Sequence, residues 1–355
     1  MFRVDASSRI GSGHVARCMA LATTLRDRGL SCLFLHRRHP GHMANHIREG
    51  GFEVVELPEA PTAVESTTDT DYASWLGVPQ EEDARECQET LSAESIDWLI
   101  VDHYSLDATW EDHLRPRCRH LAVIDDLANR PHNCDLLIDQ NYVPHSDTRY
   151  LGLVPGSCSR LIGPRYAILT STYTIAHSLV GPRRGPLARV LIYYGGTDVT
   201  NETDKALRAL SLPEFADIAV DIVIGHNARG TRSVAQAASS RPMTTVHAPR
   251  PHIADLMIDA NLAFGAGGTT TWERCAIGVP SVVTAVARNQ VETCQTLAGE
   301  GYIHYMGHHT EVNVDSLTSA LRRARDSTYL DAMGSKAWGL VDGHGTARVA
   351  DCIHP

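Results

Sequence analysis

Gly265-Ala266-Gly267-Gly268-Thr269-Thr270-Thr271-Trp272-Glu273-Arg274 is the stretch whose residue types and spacing point most directly to chemistry. It follows the apolar run Asn261-Leu262-Ala263-Phe264, read as a strand end, and precedes Thr271 to Ile277, read as the first turns of a helix. A glycine-rich turn between strand and helix lets backbone N–H groups and a helix N-terminus face one anion, with threonine hydroxyls at hand as caps. Glu273 falls about one turn into that helix, within reach of ribose hydroxyls. A loop for a diphosphate with a carboxylate for a sugar points to a nucleotide-linked ligand. The stretch is neither G-x-x-x-x-G-K-[ST] nor G-x-G-x-x-G, so the ATP P-loop and dinucleotide readings lose their main support. A tight turn that binds nothing has the same local pattern.

A second such turn stands near the start. Ile10-Gly11-Ser12-Gly13-His14 follows Phe2-Arg3-Val4-Asp5 and opens a helix over Val15 to Arg28. Gly11 and Gly13 permit close backbone approach and positive φ. His14 stands at the helix N-terminus, whose positive end disfavours imidazolium and keeps the ring able to accept a proton. That is the state a general base needs. A capping or wall histidine is the alternative in a chain with 19 His.

Around these turns, apolar runs alternate with helical segments. Ser31 to His36, Glu53 to Leu57, Trp98 to Asp102, Leu121 to Asp126 and Leu136 to Asp139 read as strands, the last three ending in carboxylates. Glu81 to Ser92 reads as a helix, and Pro58 to Gln80 as a polar loop. Such runs predict a parallel sheet, with polar residues at strand carboxyl ends where open α/β sheets place their sites. Gly181-Pro182-Arg183-Arg184-Gly185-Pro186 reads as a linker, giving a first domain over 1–170 and a linker over 171–186. The pattern then restarts with Arg189 to Tyr194, followed by Gly195-Gly196-Thr197-Asp198, a helix from Asn201 to Leu210, strands at Ala219 to Ile224 and Pro280 to Thr284, and a helix from Asn289 to Gly299. Two α/β domains with a cleft between them is the expected architecture.

The bulk numbers bound the function. At 355 residues, 43% hydrophobic and 21% charged, the chain fits a globular protein of two domains. A net charge of −10 argues against nucleic acid as a partner. The start reads as no signal peptide and no apolar run reaches membrane-spanning length, so a cytoplasmic protein is expected. The nine cysteines form no Cys-x-x-Cys pair, which fits reduced thiols. His36, His39, His42 and His46 cluster locally, but Pro40-Gly41 interrupts them and no acidic ligand is fixed, so no metal is expected. Asp69-Thr70-Asp71 reads as solvated loop, and Trp272 as packing.

Several separated segments resemble one family. They are Arg3 to Cys18, Val101-Asp102-His103-Tyr104-Ser105-Leu106-Asp107 with Trp110-Glu111, Ile124 to Arg130, Leu137 to Asn141, Gly163-Pro164-Arg165-Tyr166, Gly195 to Asp198, Gly265 to Arg274, Asn289-Gln290 and Asp342 to Val349. In this order they are similar to the UDP-2,4-diacetamido-2,4,6-trideoxy-β-L-altropyranose hydrolases of pseudaminic acid biosynthesis and related spore-coat polysaccharide proteins. The resemblance implies a GT-B fold, two Rossmann-like domains facing across a cleft. The sugar side would lie in the first domain and UDP in a second over 187–338, with 339–355 returning to the first. It implies metal-independent hydrolysis with inversion, with UDP-sugar as substrate, UDP as product and no cofactor, by a monomer or weak homo-oligomer.

By that resemblance His14 is the base, Asp5 orients the ring or the water, and Tyr104 binds sugar or water. Asn289 faces the sugar-diphosphate. Gly267, Gly268 and Thr269 meet the diphosphate and Glu273 the ribose. Gly11, Gly13, Arg17, Gly196 and Thr197 complete the nucleotide set, with a surface salt bridge as the other reading of Arg17. The chain departs from the family after Tyr166, where Ala167-Ile168-Leu169 runs into Thr170-Ser171-Thr172-Tyr173, in Thr284 to Arg288, and over Pro58 to Gln80. These departures leave the sugar open: another nucleotide sugar, an inverting glycosyltransferase, and a nucleotide-sugar binding protein without turnover are the alternatives.

Overall fold

The computed structural model describes residues 1–60, 71–91, 96–182, 184–225 and 230–354. Asp69 and Thr70 of the acidic loop, Ser92 at the expected helix end and Arg183 of the expected linker lie outside the described residues. The chain divides into two units, Met1–Thr170 with Gly345–Pro355, and Ser171–His344.

In the first unit the strands are β1 (Phe2–Val4), β2 (Leu33–Arg37), β3 (Glu53–Leu57), β4 (Ile96–Asp102), β5 (Cys118–Ile124), β6 (Leu136–Asp139) and β7 (Ser159–Ile162). They form one sheet in the order β3-β2-β1-β4-β5-β6-β7, with parallel pairings throughout. The central strands are apolar because helices cover both faces of such a sheet. Helix α1 (Gly13–Asp27) follows β1, and α2 (Ala44–Glu49), α3 (Gln80–Thr90) and α4 (Ala108–Leu114) fill later crossovers. One stripe of α1 is buried: His14, Arg17, Cys18, Leu21, Ala22 and Leu25. This is the i, i+3, i+4 spacing of a helix face, apolar at its far end and polar in its first turn.

The second unit opens with α5 (Ser171–Leu179), so the expected linker over 171–186 begins as a helix. Its strands are β8 (Arg189–Tyr193), β9 (Ala219–Val223), β10 (Thr244–His247), β11 (Leu262–Ala266), β12 (Ser281–Ala285) and β13 (His304–His308), in the parallel order β10-β9-β8-β11-β12-β13. The helices between and after them are α6 (Glu202–Leu210), α7 (Thr231–Ser239), α8 (Ala254–Asp259), α9 (Thr270–Ile277), α10 (Val291–Gly299), α11 (Val314–Ala324) and α12 (Ser327–Leu340). The last helix, α13 (Gly345–Ile353), packs Val349, Ala350 and Ile353 into the core of the first unit, and Thr346 Oγ1 there accepts from Leu169 N at 2.8 Å. A Cβ on Gly345 would collide with the Ala167 carbonyl, so only glycine allows this approach.

Both sheets reverse their strand order once, between β1 and β4 in the first unit and between β8 and β11 in the second. Ligands of open α/β sheets bind outside the strand carboxyl ends at such switch points. The turn before His14 follows β1, and the loop starting at Gly267 follows β11.

Candidate active site

In the first unit, the pairing of β1 with β4 sets Val4 opposite Asp102. Asp102 therefore ends its strand beside the turn that leads into α1. Gly11, at φ +81°, closes that turn, with its N–H bonded to Ser7 O at 2.9 Å. Gly13 is the first residue of α1, and His14 the second. His14 Nδ1 lies 2.6 Å from Asp102 Oδ1. Arg17, one turn along, holds the same carboxylate with two hydrogen bonds, from Nε to Oδ2 and from an Nη to Oδ1, each 2.6 Å. Its other Nη donates to Asp126 Oδ2 at 2.7 Å.

Burial of Asp102 opposes its charge, but the Arg17 guanidinium and the His14 ring outweigh this and hold its carboxyl well below the usual range. An ionised carboxylate only accepts, so the Nδ1 of His14 carries the proton and donates it to the bond. In the neutral ring Nε2 is then the acceptor, the arrangement by which a carboxylate fixes a histidine base in its working tautomer. The His14 side chain retains 10% exposure. Tyr104 stands beside it, ring centroids 4.6 Å apart and nearly perpendicular, and donates its hydroxyl to Asp126 Oδ2 at 2.7 Å. Burial pushes the Tyr104 phenol far above its usual range, so it acts as a neutral donor.

Asp5 occupies the layer beneath. Its Oδ1 accepts from Arg3 at 2.6 Å and from the Arg37 N–H at 2.7 Å. Its Oδ2 faces His103 Nε2 at 3.3 Å. His103 Nδ1 accepts the Ser105 N–H at 3.1 Å, which puts the His103 proton on Nε2, towards Asp5. Asp5 thus lies against the loop that carries Tyr104, and the carboxylate hydrogen-bonded to the His14 ring is Asp102, not Asp5.

In the second unit, β11 runs through Ala266 into a glycine turn and then α9, the strand–turn–helix expected for an anion site. The first N–H groups of a helix have no acceptor within it and carry the positive end of its dipole. Thr269 occupies the N-cap without a side-chain capping bond. A Cβ on Gly267 would collide with Cys294 Sγ, and one on Gly265 with Arg274, so the turn is closely backed. Arg274 is 2% exposed and donates to Ala266 O at 2.8 Å, Thr271 Oγ1 at 3.0 Å and Thr270 Oγ1 at 3.1 Å. It makes no ion pair among the described residues, and burial pulls its pKa down. A buried cation without a carboxylate partner raises the potential at the glycine turn, which favours an anion there.

Glu273, partly exposed on α9, is pushed up to about 7 by burial, with Tyr173 and Arg274 pulling the other way. Gly195-Gly196-Thr197 follows β8, the strand beside β11, and Asp198 caps α6 by accepting the N–H groups of Glu202 at 2.9 Å and Thr203 at 3.0 Å. Asn289 lies in a short 3-10 turn with Gln290, whose side chain packs against Gly267 and accepts the Val286 N–H at 3.0 Å.

No family model matches the chain. It is 25% identical over 305 residues to the UDP-2,4-diacetamido-2,4,6-trideoxy-beta-L-altropyranose hydrolase of Campylobacter jejuni, an alignment covering 85% of this chain and 97% of the relative. It is 27% identical over 349 residues to the spore coat polysaccharide biosynthesis protein SpsG of Bacillus subtilis, covering 97% and 94%. Along most of its length the chain is thus similar in sequence to this hydrolase and to this spore-coat protein. Among solved structures, MurG of Acinetobacter baumannii superposes with a TM-score of 0.65 over 99% of this chain and 98% of that one, at 16% identity. The fold is accordingly that of the GT-B glycosyltransferases, two Rossmann-like units.

Against the positions that resemble this family, the first unit gathers His14, Arg17 and Tyr104 around two carboxylates, Asp102 and Asp126. Arg17 uses Nε and both Nη groups on those carboxylates, in a buried ion pair and not the surface one its position suggests. Gly267, Gly268, Thr269 and Glu273 gather on β11–α9, with Gly196 and Thr197 after the adjacent strand. Asp102, Trp75 and Arg274 were not singled out as site residues by sequence reasoning, whereas Asp125-Asp126, at a strand end, reads either as lining a cleft or as capping the next turn. A carboxylate at its strand end was the signal for Asp102.

Proposed function

We propose that this protein hydrolyses a UDP-linked diacetamido-trideoxy hexose, UDP-2,4-diacetamido-2,4,6-trideoxy-β-L-altropyranose, to free sugar and UDP. The observation that carries the reading is the His14–Asp102 hydrogen bond, which leaves His14 Nε2 as a proton acceptor. The name of the Campylobacter jejuni relative supports the substrate. Water attacks the anomeric carbon and gives its proton to His14 Nε2 as its C–O bond forms. The bond from that carbon to the diphosphate oxygen breaks on the opposite face, and its electron pair leaves with UDP, so the configuration inverts.

Negative charge grows on the diphosphate as that bond breaks. The α9 N-terminus, the Gly267-Gly268-Thr269 backbone and the buried Arg274 charge bind it more tightly in the transition state than in the ground state. Glu273 takes the ribose hydroxyls, and Asn289 the sugar-diphosphate.

The test is UDP release from that substrate by wild type and His14→Ala, without added acceptor. Turnover that His14→Ala lowers by about 10²-fold or more is expected. Turnover untouched by His14→Ala removes the base. Turnover that appears only with an added sugar or lipid acceptor makes the protein a transferase.

A further inference from the structure

We infer that Trp75 is the sugar-selecting wall of this site, taking the apolar face of the hexose on its ring and an acetamido carbonyl on its indole N–H. The inference rests on the proposed reading of His14 as the base at the anomeric carbon.

Trp75 comes from the Pro58 to Gln80 stretch, where the chain departs from its family. It ends a 3-10 turn, Ala73–Trp75, whose backbone is tied to the active-site loop. Ser105 Oγ donates to Tyr72 O, Trp75 N donates to the same carbonyl at 3.0 Å, and Ser74 Oγ donates to Asp71 O at 2.9 Å. Three rings result in mutual contact. Trp75 stacks on Tyr104 at 5.5 Å and 29°, and Tyr72 stands edge-on to both, at 4.9 and 5.1 Å. The His14 ring meets Tyr104 at 4.6 Å and Trp75 at 6.4 Å, nearly perpendicular to each. An aromatic wall therefore lies within one ring's width of the base.

A purely structural tryptophan would be buried with its N–H satisfied. The neighbouring residue plays that part: Leu76 is 1% exposed and packs with Leu35, Leu57 and Val101. Trp75 is only half-buried and stays out of that cluster, and its indole N–H meets no acceptor among the described residues. A pyranose carrying C-methyl and N-acetyl groups offers what such a wall takes: C–H groups for the ring face and an amide oxygen for the N–H.

Binding is read by calorimetry in a His14→Ala background, which slows turnover, and His14→Ala itself is the reference, so the loss of the imidazole beside the wall is common to every protein compared. UDP and UDP-2,4-diacetamido-2,4,6-trideoxy-β-L-altropyranose are compared, so the sugar's increment in affinity is measured directly. The increment is expected to fall about tenfold in His14→Ala/Trp75→Ala and about threefold with Trp75→Phe, which keeps the ring face and loses the N–H. UDP affinity should not move, whereas a merely structural role would lower Tm and leave the sugar's increment as it was. An increment that survives Trp75→Ala overturns the inference, as does a sugar that adds no affinity to UDP. Failure of the hydrolase reading shows separately, as absence of wild-type turnover, and leaves this binding measurement intact.

Discussion

Asp102 and His14 lie 88 positions apart in sequence, yet the Asp102 carboxylate accepts the Nδ1 proton of His14 at 2.6 Å. The pairing of β1 with β4 makes that contact, because it sets the last residue of β4 beside the turn that starts α1. A base oriented in this way depends on its carboxylate for tautomer as much as for position.

Asp102→Asn tests the dependence. Asparagine can present its amide N–H to His14 and so favour the wrong tautomer, and kcat is expected to fall about 10²- to 10⁴-fold with UDP affinity unchanged. Arg17 keeps Asp126 as a partner, so Tm should fall only modestly. Activity within a few-fold of wild type would show that His14 does not need Asp102 to work as a base.

Gly267 supplies a test in the second unit. Alanine there pushes its methyl into Cys294 Sγ and towards Gln290, at an expected cost of about 1 to 3 kcal/mol and with loss of UDP affinity. Cys294→Ala removes the obstructing sulfur, so the double variant Gly267→Ala/Cys294→Ala should be more stable than the sum of its singles. Strict additivity in a thermal-melt cycle would mean that the collision is not what makes glycine necessary.

The strands inside each sheet are more legible in the sequence than most of those at its edges. Strand β6 is legible to the residue, because buried parallel strands read as short apolar runs, and β3, half-exposed at the edge of the first sheet, is legible through its Val54-Val55 pair. Thr244–His247 and His304–His308 are edge strands, largely half-exposed, and no apolar run marks them. The site divides on the same principle. His14 and the glycine turn at Gly267 are legible because their meaning lies in local spacing. The Asp102 contact depends on strand register, Trp75 sits in a stretch whose polarity reads as loop, and the isolation of the Arg274 charge is a property of its packed surroundings.

Arg274 combines two roles that a neutral substitution separates. Arg274→Gln keeps a donor for the Ala266 carbonyl and removes the buried charge. UDP affinity is expected to drop about tenfold, with Tm unchanged or higher, since burial already disfavours the cation. A variant that loses Tm but binds UDP as before would make Arg274 a strut of the turn and nothing more.

Glu273 makes the second unit sensitive to pH near neutrality. Burial raises its carboxyl from 4.5 to about 7, so between these values the folded protein holds a proton that the unfolded chain has released. Its contribution to stability is full below pH 4.5 and is lost as pH rises through about 7, a fall of about 2 kcal/mol after allowance for its partial exposure. Glu273→Gln should flatten that part of the stability profile. Ribose hydroxyls donate best to the ionised carboxylate, so UDP binding at pH 6 should expel the proton. Calorimetry in two buffers of different ionisation enthalpy then measures more proton release for wild type than for Glu273→Gln, the difference approaching one proton and excluding any contribution from the phosphates themselves. Equal release by the two proteins would place the ribose away from Glu273.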